Sequence, residues 1–168
     1  MWETEVSTFE GFDPSISNGL KWAQKISDWM TIADANAWHY WWLISGSSDN
    51  EGLLGSGGQV TKRLYVMGNF SKFVRPGFYR IGATASPVSG VSISAYKDPN
   101  TGKFAIVAIN HNSSAVGLDF SLNGFSASSV DPWVTSASLN LVKQASIPAG
   151  SHFKATLAAQ SVTTFAGN

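Results

Sequence analysis

The sequence predicts an α+β chain in which two strand-helix units precede an antiparallel β-sandwich. Three observations carry this reading. Residues 1–75 follow the order strand, helix, strand, helix. The apolar period then changes from three-to-four residues to two at Phe78. Beyond it, short strand-like runs recur at a spacing of roughly eight to twelve residues, with almost no helical pattern.

Each element has a local cause. Residues 2–7 are short, β-prone and bounded by the loop Gly11-Phe12-Asp13-Pro14, as a strand and its connection should be. Asn18 can cap a helix whose apolar stripe runs through Leu20, Trp22, Ala23, Ile26, Trp29, Met30 and Ala33. Residues 37–44 form an unbroken aromatic and aliphatic run, apolar on both faces, as expected of a buried parallel strand. From Thr61 a second helical pattern passes through Leu64, Met67, Phe70 and Phe73, and Arg75-Pro76-Gly77 stops it. Parallel strands need helical crossovers, so this order makes two consecutive β/α units. Strands are expected at residues 79–83, 91–96, 104–110, 116–122, 153–157 and 162–165, with Asp98-Pro99-Asn100-Thr101-Gly102 as a turn.

Composition narrows the function. Hydrophobic residues make up 43% of the 168 and charged ones 13%, so the chain is expected to fold. Eleven Lys and Arg balance eleven Asp and Glu without a basic block, which argues against nucleic acid or an anionic membrane as partner. With no cysteine there is no disulfide or thiolate metal site. His39, His111 and His152 lack ligand-like spacing, and His39 is expected to be a hydrogen-bonded interior residue. No cofactor or metal is therefore expected. Serine is abundant, yet neither a Gly-x-Ser-x-Gly elbow nor a phosphate loop occurs. Six of the seven Trp fall within the first forty-two residues, beside many Ser, Thr, Asn and Gly. Flat rings in such surroundings suit stacking on sugars or burial in a core.

Carboxylates are the remaining chemistry. Retaining glycosidases need two carboxyl groups about 5 Å apart. Glu3 and Glu5 lie two residues apart in the first strand, point the same way on a regular strand, and would be roughly 6–7 Å apart. Neighbours on one strand seldom flank both sides of a scissile bond, so this pair is not expected to act together.

Trp2-Glu3-Thr4-Glu5 resembles the Trp-x-Thr-Glu segment that ends the seventh barrel strand in many family 30 glycoside hydrolases, where the final Glu is the nucleophile. The likeness continues along the chain. Tyr40-Trp41-Trp42-Leu43-Ile44 looks like the eighth strand, and Lys62-Arg63-Leu64-Tyr65-Val66-Met67-Gly68 with Phe70 looks like the final helix. Phe73-Val74-Arg75-Pro76-Gly77 looks like its exit, while Ser94-Ala95-Tyr96-Lys97 and Ser161-Val162-Thr163-Thr164-Phe165 are similar to the side domain.

What this resemblance implies is a partial (β/α)8 barrel, its last two strand-helix units in residues 1–75, followed by a β-sandwich side domain in residues 76–168. It implies Glu5 as nucleophile of a retaining, xylan-cleaving enzyme, with Trp41 forming part of the sugar-binding wall; strand alternation turns Trp42 to the opposite face, against a helix. The branch that cuts glucuronoxylan anchors the glucuronate with a Tyr, a Ser and an Arg. Here those positions hold Ser7, Glu10 and Ser45, so Ser45 is the candidate substrate contact after the eighth strand, and undecorated xylan is the expected ligand. The acid/base of the family lies upstream of anything present, so the chain alone is expected to be inactive. Further expectations are xylan or xylo-oligosaccharide as partner, secretion, and a homo-oligomer or a complementing chain to cover the exposed strand edges. The rival readings are a non-catalytic carbohydrate-binding module and a purely structural stub that folds only with a partner chain.

Overall fold

The computed structural model describes all 168 residues. Strand β1 (Trp2–Val6) pairs in parallel with β2 (Ala37–Tyr40), and helix α1 (Ile16–Thr31) connects them. Helix α2 (Lys62–Ser71) follows, and the rest of the chain is strand: β3 (Tyr79–Ile81), β4 (Val91–Lys97), β5 (Phe104–Asn110), β6 (Val116–Ser121), β7 (Ala127–Thr135), β8 (Val142–Lys143), β9 (Ile147–Gly150), β10 (His152–Leu157) and β11 (Ser161–Gly167).

The large sheet runs β3-β4-β5-β11-β7-β8, with β9 also on β7, and every pairing in it is antiparallel. A two-stranded antiparallel sheet, β10-β6, faces it. Ile93, Ile106, Phe165, Phe120 and Phe153 fill the space between, with the Phe120 and Phe153 rings stacked at 4.7 Å. The opposite face of the large sheet carries the helices. Leu20, Ala23 and Ile26 of α1 and Val66 and Phe70 of α2 pack on Tyr96, Val107, Ile109 and Val162. Alternate residues of β5 thus enter two cores, which explains why all seven are buried and why Phe-Ala-Ile-Val-Ala-Ile reads as one apolar run.

Several boundaries differ from expectation. The cap of α1 is Ser15, whose hydroxyl accepts from Asn18 N at 3.4 Å, and Asn18 lies buried inside the helix. Thr61 caps α2 in the same way. That helix ends at Ser71, before Arg75-Pro76-Gly77, where Gly77 takes a positive φ of 95°. The second strand stops at Tyr40, four residues short. Residues 42–45 instead follow residues 53 and 54 through three backbone hydrogen bonds, from Leu53 N to Trp42 O, Leu54 N to Leu43 O and Ser45 N to Leu54 O, and Trp42, Leu43 and Ile44 are exposed.

Strands β7, β8 and β9 have no counterpart among the expected ones. Pro132 masks β7, since proline cannot donate to a ladder. Its carbonyl accepts from Gln144 N at 2.8 Å, and its nitrogen points the same way, into the gap between β9, which pairs with residues 127–130, and β8, which pairs with 133–134.

Candidate active site

The exposed ends of β1 and β2 carry the candidate residues. Glu5 is exposed near the end of β1, and Trp41 N donates to Val6 O at 2.9 Å, which brings the Trp41 backbone beside the residue after Glu5. The register slips between Glu3 and Val6, and Glu5 N donates to Glu3 Oε1 at 3.4 Å, so the regular alternation expected for Glu3 and Glu5 is interrupted. Trp41 is 39% exposed and meets Trp42 edge to face at 4.9 Å. Trp42, expected against a helix, is 48% exposed, because the strand ends before alternation can turn it inward. His39 is also exposed rather than interior, its Nδ1 3.1 Å from Glu3 O.

Ser45 is almost fully buried. Its hydroxyl donates to Asp49 Oδ1 at 2.8 Å, which forms the base of a tight loop rather than an open contact. Ser47 N in turn donates to Ser45 Oγ at 3.0 Å, and Glu51 N to Asp49 Oδ1 at 3.0 Å.

Beneath these loops sits a polar cage that the sequence reading missed. The Arg63 guanidinium is buried, with Nη1 donating to Asp13 O at 2.7 Å, Asn18 Oδ1 at 2.8 Å and Asn50 Oδ1 at 2.7 Å, and Nη2 to Gly52 O at 2.9 Å. None of its direct partners is a carboxylate, and burial lowers its pKa. Asn50 also accepts from Asp13 N at 2.7 Å and donates to Gly11 O at 2.9 Å, while its backbone N donates to Glu10 O at 3.0 Å. The loops after β1 and β2 are therefore zipped together over α2. Tyr40 donates its hydroxyl to Asn50 O, and burial pushes its pKa up to about 12. No sequence spacing marks this cage, because its members come from four separate segments and the acceptors include bare carbonyls.

No group of three or more His, Asp or Glu is placed to hold a metal ion. The chemistry available at this face is the exposed Glu5 carboxylate near a strand end, with Glu3 bonded to the Glu5 backbone and the Trp41 backbone beside Val6.

No protein-family model matches the chain. A curated relative, the glucuronoxylanase XynC of Bacillus subtilis (strain 168), is 42% identical over the whole of this chain and 39% of its own length. The solved family 30 endoxylanase of Clostridium papyrosolvens C71 superimposes with a TM-score of 0.87 at 40% identity, over 99% of this chain and 41% of that one. The family 30 subfamily 8 xylanase Xyn30A of Clostridium acetobutylicum gives 0.89 at 40%, over 99% and 42%. This chain matches the C-terminal portion of glycoside hydrolase family 30. It spans about two-fifths of the length of the family 30 relatives it matches. A mostly β chain with two helices accords with that portion of a family 30 protein.

Proposed function

We propose that the chain is the C-terminal part of a retaining xylan-cleaving glycoside hydrolase, carrying the nucleophile Glu5 and part of the sugar-binding wall, Trp41. The observation that carries this is family 30 similarity along the whole chain, combined with an exposed Glu5 at the end of a parallel strand. On this reading β1-α1 and β2-α2 are the last two units of an eight-stranded barrel, residues 1–75, and residues 76–168 are the side domain. Ser45, by its burial, acts by holding Asp49 in place. The protein works outside the cell on xylan, and the outer edges of β1 and β2 pair with further strands from the family-length protein or a complementing chain.

The mechanism is double displacement. A Glu5 carboxylate oxygen attacks the anomeric carbon as the glycosidic C–O bond breaks, giving a glycosyl ester that water later hydrolyses. The departing oxygen needs a proton from a second carboxyl group on the other side of the bond, and Glu3 and Glu10 are not so placed by their position on or beside the same strand. Turnover of xylan by this chain alone is therefore not expected.

A leaving group that needs no proton separates the two steps. An activated 2-fluoro-xylobioside bearing dinitrophenolate should label Glu5, seen as a mass increase on the peptide containing it, and Glu5→Gln should remain unlabelled. Labelling elsewhere, or release of xylo-oligosaccharides from xylan by the chain alone, would sink this assignment. The exposed Trp41-Trp42 pair favours one second reading, a carbohydrate-binding module without chemistry, for which binding survives Glu5→Gln and no label appears.

A further inference from the structure

We propose that Asn123-Gly124, in the turn between β6 and β7, is a self-modification site that loses ammonia to give an aspartyl or isoaspartyl linkage as the chain ages. The nucleophile is the backbone itself, and the co-reactant is water.

The dipeptide Asn-Gly occurs twice, at 18–19 and 123–124, and the fold treats the two copies in opposite ways. Asn18 lies buried in α1, where its Oδ1 accepts from Arg63 Nη1 at 2.8 Å. Gly19 N donates to Ser15 O at 3.1 Å, so the nitrogen that would attack is already engaged. Helical geometry tilts the Asn18 Cα–Cβ bond towards the helix start, away from that nitrogen. A Cβ at Gly19 would meet Lys62 Cβ at 3.0 Å, so this glycine serves the close approach of the two helices. The first copy is locked.

The second copy has none of these restraints. Asn123 and Gly124 are both exposed, and the pairing of β6 with β10 ends before them, at Ser121. Gly124 N has no backbone acceptor, and the Asn123 amide has no hydrogen-bond partner. Gly124 takes a φ of 84° with open space where a Cβ would stand, so this glycine answers to backbone conformation rather than to packing. Amide and nitrogen are free to meet.

The reaction balances with water alone. Gly124 N gives its proton to solvent base and attacks Asn123 Cγ; the N–Cγ bond forms, the Cγ–Nδ2 bond breaks, and Nδ2 takes up a proton and leaves as ammonia. A five-membered succinimide results, and water opens it. Attack of water at Cγ gives an ordinary aspartyl residue, whereas attack at the backbone carbonyl carbon gives an isoaspartyl linkage that runs through Cβ and Cγ. Either product adds one negative charge to a chain whose formal net charge is zero.

The turn lies where its neighbours register the change. Leu122 is buried, with its N donating to Ser151 O at 2.8 Å. Phe125 meets Phe104 edge to face at 5.1 Å, and Lys97 Nζ stands 4.0 Å from the Phe125 ring centre. The isoaspartyl form adds a methylene to the backbone between these two anchors, which displaces Phe125 from Phe104. The aspartyl form adds only charge, at a cavity of about 520 Å³ that residue 123 lines together with Lys97 and Asp119.

The test incubates the whole chain at neutral and at mildly alkaline pH, then weighs the tryptic peptides 1–21 and 104–143, which carry the two copies separately. Conversion at Asn123, located by fragmentation, should exceed that at Asn18 by about tenfold or more, because Asn18 reacts only from molecules in which α1 has opened. It should rise with pH, as attack by a deprotonated nitrogen requires, and disappear in Asn123→Gln, whose longer side chain cannot close the five-membered ring. In denaturant the two copies should convert at similar rates. Equal conversion at both copies of the folded chain, or reaction at Asn123 only in denaturant, would overturn the assignment. Ion exchange separates the aged forms. The isoaspartyl fraction should melt below the fresh chain while Asn123→Asp melts with it, and identical melting of all three would remove the displacement of Phe125.

Discussion

The two ends of the chain use strands in opposite ways. In residues 76–168, β4, β5 and β11 are buried on both faces, one by β6 and β10 and the other by the helices. In residues 1–75, β1 and β2 pair only with each other. Their inner side packs on α1, with Trp22 4.7 Å from Tyr40, and the remainder leaves Trp2 67%, Phe9 79% and Leu43 61% exposed. A lone two-stranded sheet is marginal in water, and contiguous exposed apolar surface marks a place of contact. The comparison teaches that the β-rich part closes its central strands inside two cores while the β/α part keeps its strand ends and several aromatic rings exposed. The two are joined because the helices share a core with the back of the large sheet.

Breaking the stable half should have the largest effect. Phe165 is 1% exposed and lies 5.0 Å from the Phe120 ring and 5.3 Å from Phe153, so Phe165→Ala should cost about 3–5 kcal/mol in denaturant unfolding. The polar cage within the β/α half comes next. Arg63→Met strips donors from Asp13 O, Asn18, Asn50 and Gly52 O, and a loss of about 2–3 kcal/mol is expected, with Arg63→Lys recovering part of it. If Arg63→Met were neutral, the cage would not join the loops as described.

The alkaline limb sharpens the contrast further. The folded Tyr40 pKa, about 12, lies above its unfolded value near 10, so the folded state binds more protons between these values. Its contribution is complete below pH 10 and is lost as pH rises towards 12. Tyr40→Phe should flatten that decline in an alkaline unfolding series, and an unchanged slope would refute the assignment. The smallest effect belongs to the exposed face. Trp41→Ala should move stability by no more than about 0.5 kcal/mol while weakening xylo-oligosaccharide binding, read by melting and calorimetry on the same sample.

Legibility in the sequence followed the physics of each segment. Residues 104–110 were readable because burial on both faces forces an apolar run, and Thr61 was readable because its side chain caps a helix that starts at once. Residues 41–44 misled for a related reason. Their composition is that of a buried strand, yet β2 ends at Tyr40 and no neighbouring strand lies outside them. Strand β7 stayed hidden because Pro132 and the Ser128-Ser129 pair look like a break, and only the split ladder on its outer edge accommodates them. At the site, Glu5 and Trp41 were named through family resemblance, whereas the Arg63 cage needed the fold to bring Asp13, Asn18, Asn50 and Gly52 together.

The position of β11 also sets an order of events. It is the last strand in the chain and sits in the middle of the large sheet, between β5 and β7. Its Thr164 hydroxyl donates to Asn69 O at 2.7 Å, and Asn69 Nδ2 reaches back to Thr164 Oγ1 at 3.1 Å and to Trp133 O at 3.0 Å, while its Oδ1 accepts from Thr135 Oγ1 at 2.6 Å. Until β11 is in place, β5 and β7 have no bridge and α2 has only part of its floor. On a ribosome, the centre of the sheet cannot close until β11 has been made, and the loops pinned over α2 wait with it. The rate of folding is thereby tied to contacts almost a hundred residues apart, and a chain shortened by a single strand at its end would lose the middle of its sheet rather than a margin.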